Sequence, residues 1–295
     1  MQARFIDPAL LAKLGNLQLV AKTVVEGFIL GMHRSPYHGF SLDFAEYRQY
    51  APGDDIRTVD WKVYGRTDRF YVKKYEGDTN TQLHIILDGS RSMSFAGNGL
   101  SKLDYGRFLA ASLAYLSVRQ NDATGLAVFD SDVLEAVPPR AQYRHFLSIL
   151  HLLERLQPGG RSQITESLGQ VSRFIRKRSM VVIISDFYQD ASSLSRALHY
   201  LHHRGNDVVL FHVLDPVELE LPLEAVRTLE DLETGEHLPY VPGDSRQAYL
   251  DLLENHIQEL RKECRDIFID YQLLNTREPL DRALRSYLVA RRRKY

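Results

Sequence analysis

From residue 82 onward the chain alternates short apolar runs with longer amphipathic segments, and this alternation restricts the fold more than any other feature. The runs are LHIILD at 83–88, ATGLAVFD at 123–130, MVVIISDF at 180–187, DVVLFHVLD at 207–215 and DYQLLN at 270–275. Between or after them, residues 102–120, 142–157, 164–178, 191–205, 245–266 and 279–295 carry apolar residues at helical spacing. Runs apolar on both faces must be covered on both faces, so the pattern predicts a doubly wound, mostly parallel α/β sheet over residues 80–295. VLEAVPP, 133–139, is expected to pair with the strand before it, and Thr234–Gly235 to turn a hairpin.

Residues 1–79 read differently. Leu10, Leu11, Leu14, Leu17, Val20, Val24 and Val25 recur at helical spacing around Gly15, which predicts one or two amphipathic helices. The stretch that follows mixes turn residues with aromatic strand formers, as in RFYVKKY, and reads as an irregular, partly β arm. The 295 residues carry a net charge of −1, so no global field draws the chain to nucleic acid or an anionic membrane. A lone Cys264 allows no internal disulfide and fits a reducing compartment. The N-terminus does not read as a secretory leader, and the apolar runs are too short to span a bilayer, so a cytoplasmic protein is expected.

In an open α/β sheet, ligands bind beyond the carboxyl ends of the strands, where strand order reverses. Asp88, Ser90 and Ser92 follow the first apolar strand as D-x-S-x-S, and Ser185-Asp186 follows MVVII. Between them PGGRSQIT opens a helix with Ser162 and Thr165. Hydroxyls and carboxylates are hard oxygen donors, suited to Mg²⁺ or Mn²⁺ rather than zinc. So few negative charges would leave the cation receptive to one more carboxylate, supplied by a partner protein.

This set resembles the metal-ion-dependent adhesion site of von Willebrand factor A domains, and the resemblance implies cation binding at Asp88, Ser90, Ser92 and Asp186. Counting back from Leu168 puts Ser162, rather than Thr165, where that site has its threonine, and Gln163 where an acid often stands. Together with R-x-Y-x-x-G-D-D-x-R-x-x-D-W at 48–61, LDGSRSM, SKLDYGRFLAASLAYL and LDRALRSYLVARR, the chain is similar to the "domain of unknown function 58" family over nearly its whole length. That resemblance implies a von Willebrand A-type fold and a MoxR-type AAA+ ATPase, or its client, as partner. The expected function is a non-enzymatic, protein-binding adaptor. The alternatives are a metal-dependent hydrolase using the same cation and a metal-free scaffold.

The charged run around Trp61 has three readings: a structural network of Asp54, Asp55 and Asp60 with Arg57 and its neighbours, a docking face for the ATPase, or a catalytic carboxylate pair. His199 and His203 have metal-compatible spacing but lack a third ligand, and RRRK at 291–294 reads as a solvated helix end rather than a nucleic-acid stripe. No G-x-S-x-G and no phosphate-binding G-x-x-x-x-G-K-[ST] loop is present, so the motifs of serine hydrolases and of ATP hydrolysis are both missing.

Overall fold

The computed structural model describes residues 7–33, 46–50, 59–74, 82–97, 99–175, 178–222, 228–240 and 244–292. The chain starts with α1 (Pro8–Ala12) and α2 (Leu17–His33), separated where Gly15 takes φ 60. Asp7 and Asn16 open these helices by accepting from the N–H groups of Ala9 and Leu19 at 2.9 Å each. Strands β1 (Glu46–Gln49) and β2 (Tyr71–Lys74) pair antiparallel on either side of α3 (Trp61–Thr67).

The regular part follows: β3 (Gln82–Asp88), α4 (Lys102–Arg119), β4 (Ala123–Phe129), β5 (Val133–Arg140), α5 (Tyr143–Arg155), α6 (Ile164–Ser172), β6 (Met180–Ser185), α7 (Ala191–His203) and β7 (Asp207–Leu214). Then come α8 (Pro216–Glu220), the hairpin β8 (Thr228–Glu230) and β9 (His237–Pro239), α9 (Asp244–Asp266), β10 (Asp270–Asn275) and α10 (Asp281–Arg292). The main sheet runs β10-β7-β6-β3-β4-β5, parallel except for β5, which pairs antiparallel with β4 at the edge. From β3 the chain winds outward through β4 to β5, then returns to the centre and winds the other way through β6, β7 and β10. The doubly wound, mostly parallel sheet expected from the apolar runs is therefore present, with its switch point between β3 and β6.

Period-two burial explains why the strands are apolar throughout. Leu83, Ile85 and Leu87 of β3 and Met180, Val182 and Ile184 of β6 face one core; Ile86, Val181 and Ile183 face the other. The first core takes side chains from α4, α5 and α10, and also Leu17, Val20, Ala21, Val24, Val25 and Phe28 of α2. The amphipathic N-terminal helix is thus packed into the sheet's own core. The second core is closed by α6, α7 and α9, through residues such as Leu168, Leu198 and Leu260.

Three segments depart from the sequence reading. Residues 61–67, expected to be irregular or β, form α3, which the buried Asp60 opens by accepting from the Val63 N–H at 3.3 Å. Aromatics and a glycine in that turn hide the helical signal. The helix expected over 164–178 stops at Ser172, and Arg178 takes φ 62 as the chain turns towards β6. Helix α8 went unread although D-P-V-E spells its start: Asp215 and Glu218 form a reciprocal capping box with Pro216 in the first turn.

Candidate functional site

Asp88 ends β3, and Ser185-Asp186 ends the neighbouring β6, with Leu87 and Ile184 paired just before them. Both aspartates therefore leave the sheet side by side at the switch point. Asp88 is fully buried. Its Oδ1 accepts the Ser90 N–H at 2.9 Å, an Asx turn that swings the chain into the short 3₁₀ turn Arg91–Ser94. Its Oδ2 accepts the hydroxyls of Ser185 at 2.6 Å and Ser162 at 3.0 Å. The Ser90 and Ser92 hydroxyls lie 3.0 Å apart on the same turn.

Ser162 is held there by backbone contacts. Gly159 donates to the Gly89 carbonyl at 2.7 Å, Arg91 to that of Gly160 at 3.0 Å, and Gln163 to that of Asp130 at 2.9 Å. The Asp130 carboxylate accepts the Gly160 N–H at 2.8 Å, and a Cβ on Gly159 would sit 2.1 Å from it. The P-G-G sequence is thus what lets this loop lie against the D-x-S-x-S turn. Thr165 points elsewhere, donating to Gln189 Oε1 at 3.2 Å. Of the two hydroxyls that the sequence offers on this loop, Ser162 is the one that meets Asp88.

Asp186 is 1% exposed, and its Oδ2 accepts from Lys102 Nζ at 2.8 Å. Lys102, equally buried, also donates to Glu218 at 2.6 Å and lies 4.9 Å from the centre of the Tyr188 ring. Burial opposes the ammonium, but Asp186 and Glu218 outweigh it and hold the Lys102 pKa above its usual value. The other oxygen, Asp186 Oδ1, is buried without a hydrogen-bond partner. After Asp186 the chain turns sharply: Phe187 takes φ 49 and donates its N–H to Ser185 Oγ at 3.0 Å.

Burial first, and then the facing Asp186, push the Asp88 carboxyl up to about 7, against the hydrogen bonds from Ser185 and Ser90. Asp88, Asp186, Glu218 and Glu233 together bring four carboxyl groups to this end of the sheet, and buried Lys102 pairs with two of them, Asp186 and Glu218. A partnerless carboxylate oxygen, three serine hydroxyls and a negative surplus fit a hard divalent cation. Among the described residues no three His, Cys, Asp or Glu side chains form a metal-binding group, so hydroxyls would have to supply part of the shell.

Of the charged run, Asp54, Asp55 and Arg57 lie outside the described residues. Asp60 serves as the cap of α3, and Trp61 is 58% exposed, edge-on to Tyr64 and Phe70. His199 and His203 stand on α7 with ring centres 6.4 Å apart. Reasoning from sequence missed Lys102, Glu218 and Glu233. A lysine just after the N-cap Ser101 of a mostly apolar helix was a readable signal for the first, and the capping box for the second. Glu233 carries no such signal, because a loop residue's reach across the fold has no period.

A family profile described as "Protein of unknown function DUF58" matches residues 46–256. The uncharacterized protein Rv1480 of Mycobacterium tuberculosis (strain ATCC 25618 / H37Rv) is 30% identical over 232 residues, 78% of this chain and 73% of its own length. Among solved structures, the conserved hypothetical protein BatB of Bacteroides thetaiotaomicron is similar at TM-score 0.51 and 19% identity, over 72% of this chain and 99% of that one. An aerotolerance-related membrane protein of Bacteroides fragilis NCTC 9343 is similar at TM-score 0.52 with the same identity and coverage. These two likenesses concern the fold, an α/β sheet of the von Willebrand factor A type with one antiparallel edge strand. No helix among the described residues is long and apolar enough to cross a membrane.

Proposed function

The chain belongs to the DUF58 family, and from that premise we propose that it is a non-enzymatic adaptor whose sheet-end site binds a partner protein through a divalent cation. The observation that carries this reading is Asp186 Oδ1, a buried carboxylate oxygen without a hydrogen-bond partner, opposite a second buried carboxyl at Asp88. An unsatisfied buried carboxylate oxygen is costly, and a cation satisfies it. Ser90, Ser92 and Ser162 would offer hydroxyls, Asp186 would close the shell, and Asp88 would orient the hydroxyls and hold coordinating water. Mg²⁺ or Mn²⁺ would supply positive charge that an acidic side chain of the partner could complete.

Without the cation the site's own residues already hold one another. The Asp88 carboxyl fixes Ser162 and Ser185 through their hydroxyls, and the Ser90 N–H fixes Asp88 in turn. Lys102 holds Asp186 by one oxygen and leaves the other, buried, without a hydrogen-bond partner. The family resemblance points to a MoxR-type AAA+ ATPase, or a client of it, as the partner.

A metal-free version of the same surface has one observation in its favour, the Lys102 ammonium already on Asp186. That ammonium is shared with Glu218 and leaves Asp186 Oδ1 without a partner, which favours the cation reading. The test is retention of a MoxR-type ATPase on the tagged full chain, with Mg²⁺ and with EDTA. The expected result is retention with Mg²⁺, lost in EDTA and in Asp88→Ala and Ser162→Ala chains that still melt cooperatively. Equal retention in EDTA would favour the metal-free surface. Phosphatase or esterase turnover that disappears in Asp88→Ala would replace the adaptor with a hydrolase.

A further inference from the structure

The β8–β9 hairpin adds almost nothing to the core. Its residues are exposed or half-exposed, with Leu238 at 59%. Yet its tip is closely built. The Asp231 carboxylate accepts the N–H groups of Glu233 at 2.8 Å and Thr234 at 2.9 Å, and its carbonyl accepts that of Gly235 at 2.7 Å. Gly235, at φ 73, then returns the chain, and the Asp231 N–H closes the tip on the Glu236 carbonyl at 2.9 Å.

This tip holds Glu233 against the site described above. Glu233 Oε1 accepts the Ser162 N–H at 3.3 Å, and the nearby Ser92 hydroxyl favours the charged form of the carboxylate. Ser92 and Ser162 stand on the two loops that bracket Asp88, 74 residues apart in the case of Ser162. Partial burial, with Asp186 and Asp231 adding to it, raises the Glu233 pKa above the usual carboxylate range, so the contact has a cost. A carboxylate brought by an otherwise exposed hairpin to the edge of a cation site stands where an incoming acidic side chain must arrive.

We propose that Glu233 is the site's resident carboxylate: it occupies, in the isolated chain, the place that an acidic side chain of the partner takes in the complex. The β8–β9 hairpin must therefore lift before the partner binds, and Glu233 sets the threshold for that exchange. This rests on the cation reading of Asp88 and Asp186. It deepens that reading by making the site closed at rest, so that a partner's carboxylate competes with one already present at high local concentration.

The test uses Mn²⁺ as probe on the full chain and reads water-proton relaxation per bound Mn²⁺. Wild type, Glu233→Ala and the control Glu236→Ala are compared, the control changing an exposed side chain of the same hairpin. Expected is a larger enhancement in Glu233→Ala than in the other two, because water takes the place that the carboxylate leaves. Added acetate should reverse that gain in Glu233→Ala and leave wild type unchanged. Equal enhancement in wild type and Glu233→Ala, with Mn²⁺ bound to both, would overturn the proposal and leave the cation site standing. No Mn²⁺ binding by wild type would overturn the cation reading and this proposal together.

Discussion

Lys102 Nζ lies 2.8 Å from Asp186 Oδ2, with both side chains 1% exposed. The lysine leaves the first turn of α4 on one face of the sheet and reaches the end of β6, so it ties the two halves of the doubly wound topology at their switch point. Removing one partner of a buried ion pair leaves the other charge uncompensated, which costs about 3–5 kcal/mol. Lys102→Met should lose about that much stability in urea unfolding, because both Asp186 and Glu218 would be stranded. A loss below about 1 kcal/mol, the range of an exposed pair, would mean that Asp186 has another source of charge.

Ser185 links three elements with one hydroxyl. It donates to Asp88 Oδ2 at 2.6 Å and accepts the Phe187 N–H at 3.0 Å. Ser185→Ala should cost about 1–3 kcal/mol, the range for a buried hydrogen bond whose partner is left unsatisfied. Partner retention should fall as well, since Phe187 at φ 49 then loses the bond that holds the turn after Asp186. Full stability together with full retention in this variant would show that the turn is held without it.

Gly159 has no room for a side chain. Its Cβ would lie 2.1 Å from Asp130 Oδ2, the atom that also accepts the Gly160 N–H. Gly159→Ala should shift the loop that carries Ser162, costing about 1–3 kcal/mol as overpacking and weakening Mn²⁺ binding. Titration calorimetry of the purified variant measures the second effect, and unchanged affinity would detach Ser162 from the site.

His84 gives the acid limb of stability. It is buried on β3 with Nε2 lacking a hydrogen-bond partner, and burial lowers its pKa from 6.5 to about 4. The folded chain therefore keeps it neutral while the unfolded chain takes up a proton below about 6.5. Its contribution is complete above that pH and is lost progressively as pH falls to about 4. Asp88, whose carboxyl burial raises to about 7, takes up its proton in the folded chain first and gives a slope of opposite sign. The histidine's part is therefore read as a difference: relative to wild type, the melting temperature of His84→Leu should rise as pH falls across this window. Burial lowers His212 too, to about 3, so some slope should remain. An identical slope in the His84 variant would contradict the assignment.

The sheet and most of its helices were legible because each strand's two faces meet separate cores, which forces continuous apolar runs such as MVVII. That Asp88 and Asp186 leave the sheet as neighbours was legible because strand ends at a switch point are placed by topology, whereas Ser162, on a loop, was reached only by counting back from Leu168 under the adhesion-site resemblance. What was not legible depends on tertiary reach. Helix α3 is opened by a single Asp60 cap within an aromatic segment, and its residues carry no helical period. Glu233 meets Ser162 across 71 residues through a hairpin whose docking no local pattern encodes. Lys102 could have been noticed, since a lysine on a face surrounded by Leu103, Tyr105 and Gly106 must find a buried counter-charge.

The adaptor reading stands on one divalent cation held between Asp88 and Asp186. Its most direct test is anomalous diffraction from crystals of the full chain soaked with Mn²⁺, recorded at the manganese edge. Expected is a single strong peak bounded by Ser90, Ser92, Ser162 and Asp186 Oδ1, absent when the same soak is done on Asp88→Asn crystals. A map with no peak there, or with Mn²⁺ bound only elsewhere on the molecule, would contradict it.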